Sequence, residues 1–233
     1  MTRTASDFFI SGAAQGADRA KRLFDICASA LGLALCALPF AAIALAIRCE
    51  GPGAIFFRQR RIGKDGQVFR IWKFRTMRET TLPPQANLTL AGDQRITRVG
   101  AVLRATKIDE LPQLINVLTG DMSLVGPRPE TEDLIVHYTP AQRAVMLSIR
   151  PGVTDYASIA LRDESELLKT ANDPLRYYRE TLMPIKYDFC ERYLREMGLW
   201  TDLKIIFSTL ATLVCRRRAS ARATPTQPEL SAK

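Results

Sequence analysis

The sequence predicts an α+β protein that is mostly helical, with a re-entrant membrane helix hairpin at its N-terminus. A small β-hairpin and interfacial amphipathic helices are expected around a cytosolic core. The membrane hairpin is predicted by residues 26–47, which carry no charge. The β-hairpin is predicted by aromatic and basic residues that alternate on both sides of a Gly-Lys-Asp-Gly turn at 63–66. Apolar runs of helical length, separated by proline and glycine, predict the remaining helices.

A chain of 233 residues forms one compact domain with appendages. We expect a flexible tail at 1–18, the membrane helix at 19–48, a cytosolic and interfacial domain at 49–215, and a basic disordered tail at 216–233. The 33 basic and 24 acidic residues give a net charge of +9. Such a charge indicates an anionic partner, which can be nucleic acid, a phosphorylated small molecule or an acidic membrane surface.

Cysteine and histidine point to no metal or disulfide chemistry. The five cysteines form no Cys-x-x-Cys pair, and two lie inside the apolar run. Disulfides and zinc are therefore not expected, which suits a reducing compartment. His137 is the single histidine and lies in no cluster of ligand-type residues. It is expected to be a surface or helix residue rather than a base or ligand.

The apolar segment is long enough for a membrane, since about 20 apolar residues span a bilayer. A signal peptide fits poorly, because the apolar run is too long and begins too late. Pro39 removes the hydrogen bond to the carbonyl of Leu35 and breaks or kinks the helix. Basic residues flank both ends of the segment, which places both ends on the cytoplasmic side. We therefore favour a re-entrant hairpin over a single span, with Arg22 and Asp25 paired near the interface. The flanking basic residues are Arg19, Lys21 and Arg22 before the segment, and Arg48, Arg58, Arg60, Arg61 and Lys64 after it.

The predicted β-hairpin joins residues 54–60 to residues 67–77. One face is expected to be apolar and the other to carry Arg70, Lys73 or Arg75. Interleaved aromatic and basic residues suit a stacked nucleic acid, but a basic face near a membrane or a phosphate explains them equally well. A long loop is expected at 79–95.

The C-terminal half is expected to be helical. Residues 132–149 predict a helix interrupted at Pro140, and residues 173–197 predict two amphipathic helices broken at Pro184. A tight turn is expected at 150–154. Residues 200–214 are too short to span a bilayer, so a helix in the membrane interface and a buried core helix both remain open.

The stretch from Arg104 to Pro129 is the candidate site. Asp109 and Glu110 precede a proline in an apolar run, and Gly120 ends that run, which predicts a helix with acids at its N-terminus. This end of a helix favours both carboxylate and phosphate. Arg104, Lys107 and Arg128 surround the acids in sequence, so the pattern fits phosphoryl transfer. Capping acids at an exposed helix start are the alternative.

The ordered set of motifs resembles the bacterial sugar transferase family of small monotopic phosphoglycosyl transferases. The resemblance covers residues 19–215. Its motifs are Lys-Arg-Leu-Phe-Asp at 21–25, Lys-Phe-Arg-Thr-Met at 73–77, Ile-Asp-Glu-Leu-Pro-Gln-Leu at 108–114, Asn-Val-Leu at 116–118, Gly-Asp-Met-Ser at 120–123, Val-Gly-Pro-Arg-Pro at 125–129, Arg-Pro-Gly-x-Thr at 150–154 and Asp-Leu-Lys-Ile at 202–205.

The resemblance implies transfer of a sugar phosphate from a nucleoside diphosphate sugar to undecaprenyl phosphate, releasing UMP when the donor is a UDP-sugar. Asp109 would be the nucleophile and a ligand of Mg²⁺, and Glu110 would assist with the metal or the proton. The implied substrate- and phosphate-binding residues are Lys73, Arg75, Arg104, Arg128, Arg150 and Arg162. In the family the N-terminal helix turns back at a proline, the role expected here for Pro39 together with Arg22 and Asp25.

The resemblance also implies a monotopic protein on the cytosolic face of the bacterial inner membrane, acting at the start of surface glycan synthesis. Its partners would be the sugar nucleotide, the lipid phosphate and membrane lipid, without nucleic acid; a homo-oligomer is left open. Two segments depart from the family: Leu38-Pro39 replaces the common Ser-Pro, and Asp155-Tyr156 replaces the common Gly-Trp. A basic membrane-anchored binding protein and a nucleotide-sugar hydrolase are the competing hypotheses.

Overall fold

A computed structural model describes residues 12–78 and 93–222, with side chains described for 18–78 and 93–213. The loop predicted at 79–95 lies outside the described residues except at its last three positions. The two predicted tails lie partly outside them as well. The first helix begins at Gly12 and the last helix ends at Arg222, so each extends into one of the predicted tails.

The described chain is mostly helical, with two small two-stranded sheets, as the sequence predicts. A 3₁₀ turn spans Ile108–Gln113, and a π-helical turn spans Tyr178–Leu182. The elements in order are α1 (Gly12–Cys49), β1 (Phe56–Ile62), β2 (Val68–Phe74), α2 (Arg98–Thr106), α3 (Leu114–Thr119), β3 (Ser123–Val125), α4 (Glu132–Ile135), α5 (Pro140–Met146), β4 (Gly152–Thr154), α6 (Tyr156–Ala160), α7 (Glu164–Thr170), α8 (Pro174–Tyr177), α9 (Met183–Glu196) and α10 (Leu199–Arg222).

The predicted β-hairpin is confirmed. Strands β1 and β2 pair antiparallel, from Phe56 opposite Phe74 to Ile62 opposite Val68. The turn has Asp65 at φ 55° and Gly66 at φ 76°, left-handed conformations that suit an Asp-Gly pair. In β2, Phe69 and Ile71 of one row of side chains are buried, whereas the other row exposes Val68 and Arg70 and buries Phe74.

A parallel strand pair replaces the tight turn predicted at 150–154. In this pair β4 lies beside β3, with Ser123 N donating to Pro151 O at 2.9 Å and Gly126 N donating to Thr154 O at 3.1 Å. A Cβ on Gly152 would lie 2.1 Å from the backbone nitrogen of Gly126. The glycines here thus permit close strand contact rather than a reversal of the chain.

Prolines begin helices in the C-terminal half rather than breaking them. Pro140 is the first residue of α5, where Thr139 caps the helix, so the interruption there is confirmed. Pro184 lies in the first turn of α9, and helical structure continues into it from Tyr178–Leu182. The break predicted at Pro184 is therefore wrong: helical turns run through this position, and the π-helical turn just before the proline is a local adjustment that accommodates it within a continuing helix.

Helix α1 continues through Pro39 without interruption, so the predicted re-entrant hairpin is not confirmed. The pairing of Arg22 with Asp25 is wrong as well. Arg22 donates to the carbonyls of Val117 at 2.6 Å and Leu118 at 3.0 Å. Asp25 accepts from Leu124 N at 3.1 Å. Both side chains satisfy buried backbone groups of the domain, and such groups are costly to leave unpaired.

The other end of α1 is held by the same domain. Arg75 donates to the carbonyls of Ile47, Gly51 and Pro52, which end the helix and the turn after it. Ile47 packs with Phe74 in a buried apolar cluster. Both the Arg22 region and the C-terminal end of α1 therefore contact the same domain.

Helix α1 is long and apolar enough to cross a membrane, with a mean hydropathy of 2.4 in its most apolar stretch, of which 6% is buried. Helix α10 also exposes apolar side chains, including Trp200 at 69% and Phe207 at 66%. A buried core helix would not leave these residues exposed, so that alternative does not describe α10.

The ion pair of Lys21 with Asp202 joins α1 to α10. Lys21 Nζ lies 2.6 Å from Asp202 Oδ2, and the Asp202 side chain is 1% exposed. Tyr193 donates to the other carboxylate oxygen at 2.7 Å. Lys21→Met should lower the free energy of unfolding by about 3 kcal/mol, because it leaves a buried carboxylate without its cation.

Thermal unfolding in detergent tests this, with Arg19→Met as the matched control, since Arg19 is an exposed cation two residues before Lys21 on α1. Equal melting temperatures for the two variants would contradict the structural role of the pair.

Candidate active site

The two acids lie on a 3₁₀ turn rather than at the start of a regular α-helix. Lys107, at φ 58°, ends α2 in a left-handed conformation and reverses the chain into the turn Ile108–Gln113. Helix α3 then continues until Gly120 at φ 97°. The predicted stop at Gly120 is thus confirmed, while the predicted helix start is a 3₁₀ turn. This turn places Asp109 and Glu110 against strand β2.

Glu110 is clamped by two cations. Lys73 Nζ on β2 and Arg128 Nη2 lie 2.7 Å and 2.8 Å from the same oxygen, Glu110 Oε1. Burial alone would raise the pKa of the Glu110 carboxyl, but Arg128 and Lys73 outweigh it and hold that pKa well below its usual value. Glu110 is therefore a permanent carboxylate whose lone pairs are largely engaged.

Asp109 has the opposite environment. It is 8% exposed, and its Oδ1 is buried with no hydrogen-bond partner among the described residues. Burial, followed by the charge of Glu110, raises the pKa of the Asp109 carboxyl to about 6. An unpaired buried oxygen is costly, so it points to a ligand rather than to a role in packing. The capping-acid alternative does not explain this burial.

The structure brings some of the predicted phosphate-binding residues to the acid pair and not others. Lys73 and Arg128 bind Glu110, and Arg104 lies near enough to lower the pKa of Asp109. The other three have different positions. Arg75 holds the end of α1, Arg150 Nε donates to the carbonyl of Gly120 at 3.0 Å, and Arg162 pairs on the surface with Asp163.

Sequence reasoning missed Asn116, which is 1% exposed. Its amide takes the place of a strand beside β2, accepting from Trp72 N at 2.9 Å and donating to Arg70 O at 2.9 Å. These two bonds hold strand β2 at Arg70 and Trp72, just before Lys73. An asparagine within an apolar helical run was the available signal, since a buried amide must find partners.

Sequence reasoning also missed a buried network behind Arg128. Tyr178 donates to Glu130 at 2.8 Å, and Lys186 donates to Tyr178 at 3.0 Å and to Glu164 at 3.0 Å. A π-helical turn at Tyr178–Leu182 begins the helical segment that carries both residues. The available signal was a tyrosine and a lysine eight positions apart, a spacing that places both near the same helix face.

The residues present fit the Mg²⁺ expected from the sequence. The described residues contain no cluster of three metal-ligating side chains. Mg²⁺, however, is usually held by one or two carboxylates together with substrate phosphates and water. The unpartnered Asp109 Oδ1 is a donor of this kind.

The bacterial sugar transferase family model matches residues 16–216, which include every residue of this cluster. The chain belongs to the bacterial sugar transferase family. It is 40% identical over 200 residues to a UDP-glucose:undecaprenyl-phosphate glucose-1-phosphate transferase of Caulobacter vibrioides, covering 84% of this chain and 70% of the relative. It is 36% identical over 240 residues to the exopolysaccharide production protein ExoY of Rhizobium meliloti, covering 94% of this chain and 98% of the relative.

Longer relatives share only part of their length with this bacterial sugar transferase. It is 37% identical over 196 residues to a UDP-N-acetylgalactosamine-undecaprenyl-phosphate N-acetylgalactosaminephosphotransferase of Aeromonas hydrophila. That match covers 83% of this chain but 43% of the relative.

The raised pKa of Asp109 predicts a stability cost that is removed by substitution. A carboxyl whose pKa is about 6 when folded and near 3.8 when unfolded destabilises the folded state once it ionises. In chelator-treated protein, Asp109→Asn should therefore raise the free energy of unfolding by roughly 3 kcal/mol at pH values well above 6. This gain should shrink as pH falls through 6 and vanish below the unfolded value.

Thermal melts between pH 4 and pH 8 measure the effect, with Asp188→Asn as the control because Asp188 is an exposed aspartate. A pH-independent difference between wild type and Asp109→Asn would contradict the electrostatic explanation.

Proposed function

We propose that this protein transfers a sugar-1-phosphate from a UDP-sugar to undecaprenyl phosphate, releasing UMP at the start of surface glycan synthesis. Family membership and the activities for which the relatives are named support this reaction class. The observation that carries the proposal is the contrast within the acid pair. Asp109 is buried with a free oxygen, while Glu110 beside it is neutralised by two cations.

The proposed reaction has two displacements. In the first, Asp109 attacks the sugar-bearing phosphorus of the donor, the bond from that phosphorus to the bridging oxygen breaks, and UMP leaves with the electron pair. In the second, a phosphate oxygen of the lipid attacks the same phosphorus. The bond to Asp109 then breaks, which returns the carboxylate and gives the polyprenyl diphosphate sugar.

The chain's own residues prepare Asp109 for this role. Burial removes water from its carboxylate, and its pKa near 6 leaves it ionised at neutral pH. Lys73 and Arg128 hold Glu110 as an anion, and among the described residues their ion pairs are made with Glu110 rather than with Asp109. Arg104 lies on the Asp109 side of the cluster and is suited to a phosphate oxygen. Mg²⁺ held in part by Asp109 would offset the charge of the donor diphosphate.

We further propose that the chain is monotopic and that both ends of α1 lie on the cytosolic side of the inner membrane. A helix that crosses a bilayer upright contacts its own domain at one end. Helix α1 contacts the same domain at Arg22 and again at Ile47, and basic residues flank both of its ends. The exposed apolar side chains of α1 and α10 would lie in the lipid.

The decisive activity test uses purified protein in nanodiscs with Mg²⁺, undecaprenyl phosphate and a panel of UDP-sugars. Wild type should release UMP with at least one donor, and Asp109→Asn should reduce the rate by at least 10³-fold, because the amide is not a nucleophile. Asp188→Asn is the matched control.

Release of UMP that needs Mg²⁺ but no lipid would instead identify a nucleotide-sugar hydrolase. No release from any donor by folded wild-type protein would leave a binding role as the better explanation.

The covalent step has its own test in the absence of lipid. Wild type incubated with the active donor should gain the mass of one sugar phosphate, located at Asp109 by peptide mapping, and should exchange labelled UMP into the UDP-sugar. Asp109→Asn should show neither. Single displacement would give no exchange without the acceptor, even in an enzyme that turns over normally.

A further inference from the structure

Strand β1 forms a wall beside the acid pair. In the antiparallel register Phe57 lies opposite Lys73, and Arg61 lies opposite Phe69. Residues directly opposite in such a pair share one face, with Cβ atoms about 5 Å apart. Because Lys73 reaches Glu110 from this face, the alternate residues Phe57, Gln59 and Arg61 lie on the same side of the hairpin as the candidate site.

The side chains of this wall change from apolar at Phe57 to polar at Arg61. Phe57 at one end is 49% exposed, a large apolar side chain next to a buried ammonium group. At the other end, four residues and about 13 Å away, Arg61 donates to the carbonyl of Pro129 at 2.9 Å. Arg61 is also within electrostatic range of Arg128 and Glu130. The site therefore has an apolar end and a polar end.

The apolar end is continuous with the membrane helix. Phe56, which precedes Phe57, stacks on Phe74 with ring centroids 5.3 Å apart. Phe74 packs edge-on against Phe40 of α1 at 5.0 Å. Phe40 lies two residues from Leu38, which is 84% exposed on the apolar surface of α1. The Phe57 end of the hairpin is thus the end that adjoins the apolar surface of the chain.

We propose that Phe57 contacts the isoprenoid chain of the acceptor and that the donor nucleotide takes the Arg61 end of the same site. This inference rests on the proposed function. An acceptor made of a hydrocarbon chain and a phosphate needs an apolar surface beside a cation, and Phe57 next to Lys73 supplies both. The nucleotide of the donor is polar and anionic, and Arg61 with Arg128 suits it.

Steady-state kinetics of Phe57→Ser tests the assignment. The KM for undecaprenyl phosphate should rise about tenfold, since a half-exposed phenyl ring loses its apolar contact with the lipid. The KM for the UDP-sugar should stay within twofold of wild type. Phe57→Leu should recover most of the acceptor affinity, because it restores an apolar side chain.

Val68→Ser is the matched control. Val68 is 48% exposed on the same hairpin, but it lies opposite Ile62 at the far end. This variant should leave both KM values unchanged. A rise in the UDP-sugar KM of Phe57→Ser without a rise for the lipid would overturn the orientation, as would equal effects of Phe57→Ser and Val68→Ser.

A binding measurement separates this inference from the proposed reaction. Native mass spectrometry of the nanodisc protein with undecaprenyl phosphate needs no turnover. Weaker lipid binding by Phe57→Ser than by Val68→Ser would support the contact even if no UDP-sugar were consumed. Equal lipid binding by wild type and both variants, with wild type fully active, would overturn the role of Phe57 while leaving the reaction intact.

Discussion

The clamp of Lys73 and Arg128 on Glu110 is the interaction on which the site depends. Two adjacent buried carboxylates repel each other, and their ionisation can be supported only where cations compensate it. Both cations approach the same carboxylate, with Lys73 on β2 and Arg128 after β3. Glu110 is consequently fixed as an anion, and Asp109 is left with a raised pKa and an unpaired oxygen. The asymmetry between neighbouring acids gives one of them a structural role and leaves the other free to react.

Lys73 and Arg128 reach Glu110 only because several distant parts of the chain hold them in position. Strand β2 is held at its free edge by the Asn116 amide, which replaces a third strand. The turn that carries Arg128 is held by Asp155, which accepts from Arg128 N at 3.3 Å and also caps α6. Asp155 stands where the family commonly has glycine, so this chain fixes the turn with a side chain of its own. Buried polar side chains here act as positioning elements because each satisfies backbone groups that would otherwise be unpaired.

Short sequence patterns were sufficient to predict the elements that neighbouring residues determine. The Asp65-Gly66 turn predicted the hairpin, Gly120 predicted the end of α3, and the motif around Asp109 predicted the acid pair. The errors arose where distant contacts decide the outcome. Gly152 allows strand contact because Gly126 lies against it, and the partners of Arg22 are carbonyls some 95 residues away. No periodicity contains that information. The same applies to the predicted arginines, since only the fold decides which of them meets a carboxylate and which meets a carbonyl.

Membrane attachment and chemistry are linked through the hairpin. Its outward face at one end packs on α1 through Phe74, while its inward face at the same end presents Lys73 to Glu110. A single short strand therefore contacts the apolar helix α1 on one side and the acid pair on the other. Because successive strand residues point to opposite faces, residues 73 and 74 make these two contacts with no intervening loop. On the proposed function, the depth of α1 in the membrane would set the height of the acid pair above the lipid, which suits a reaction between a soluble donor and a lipid acceptor.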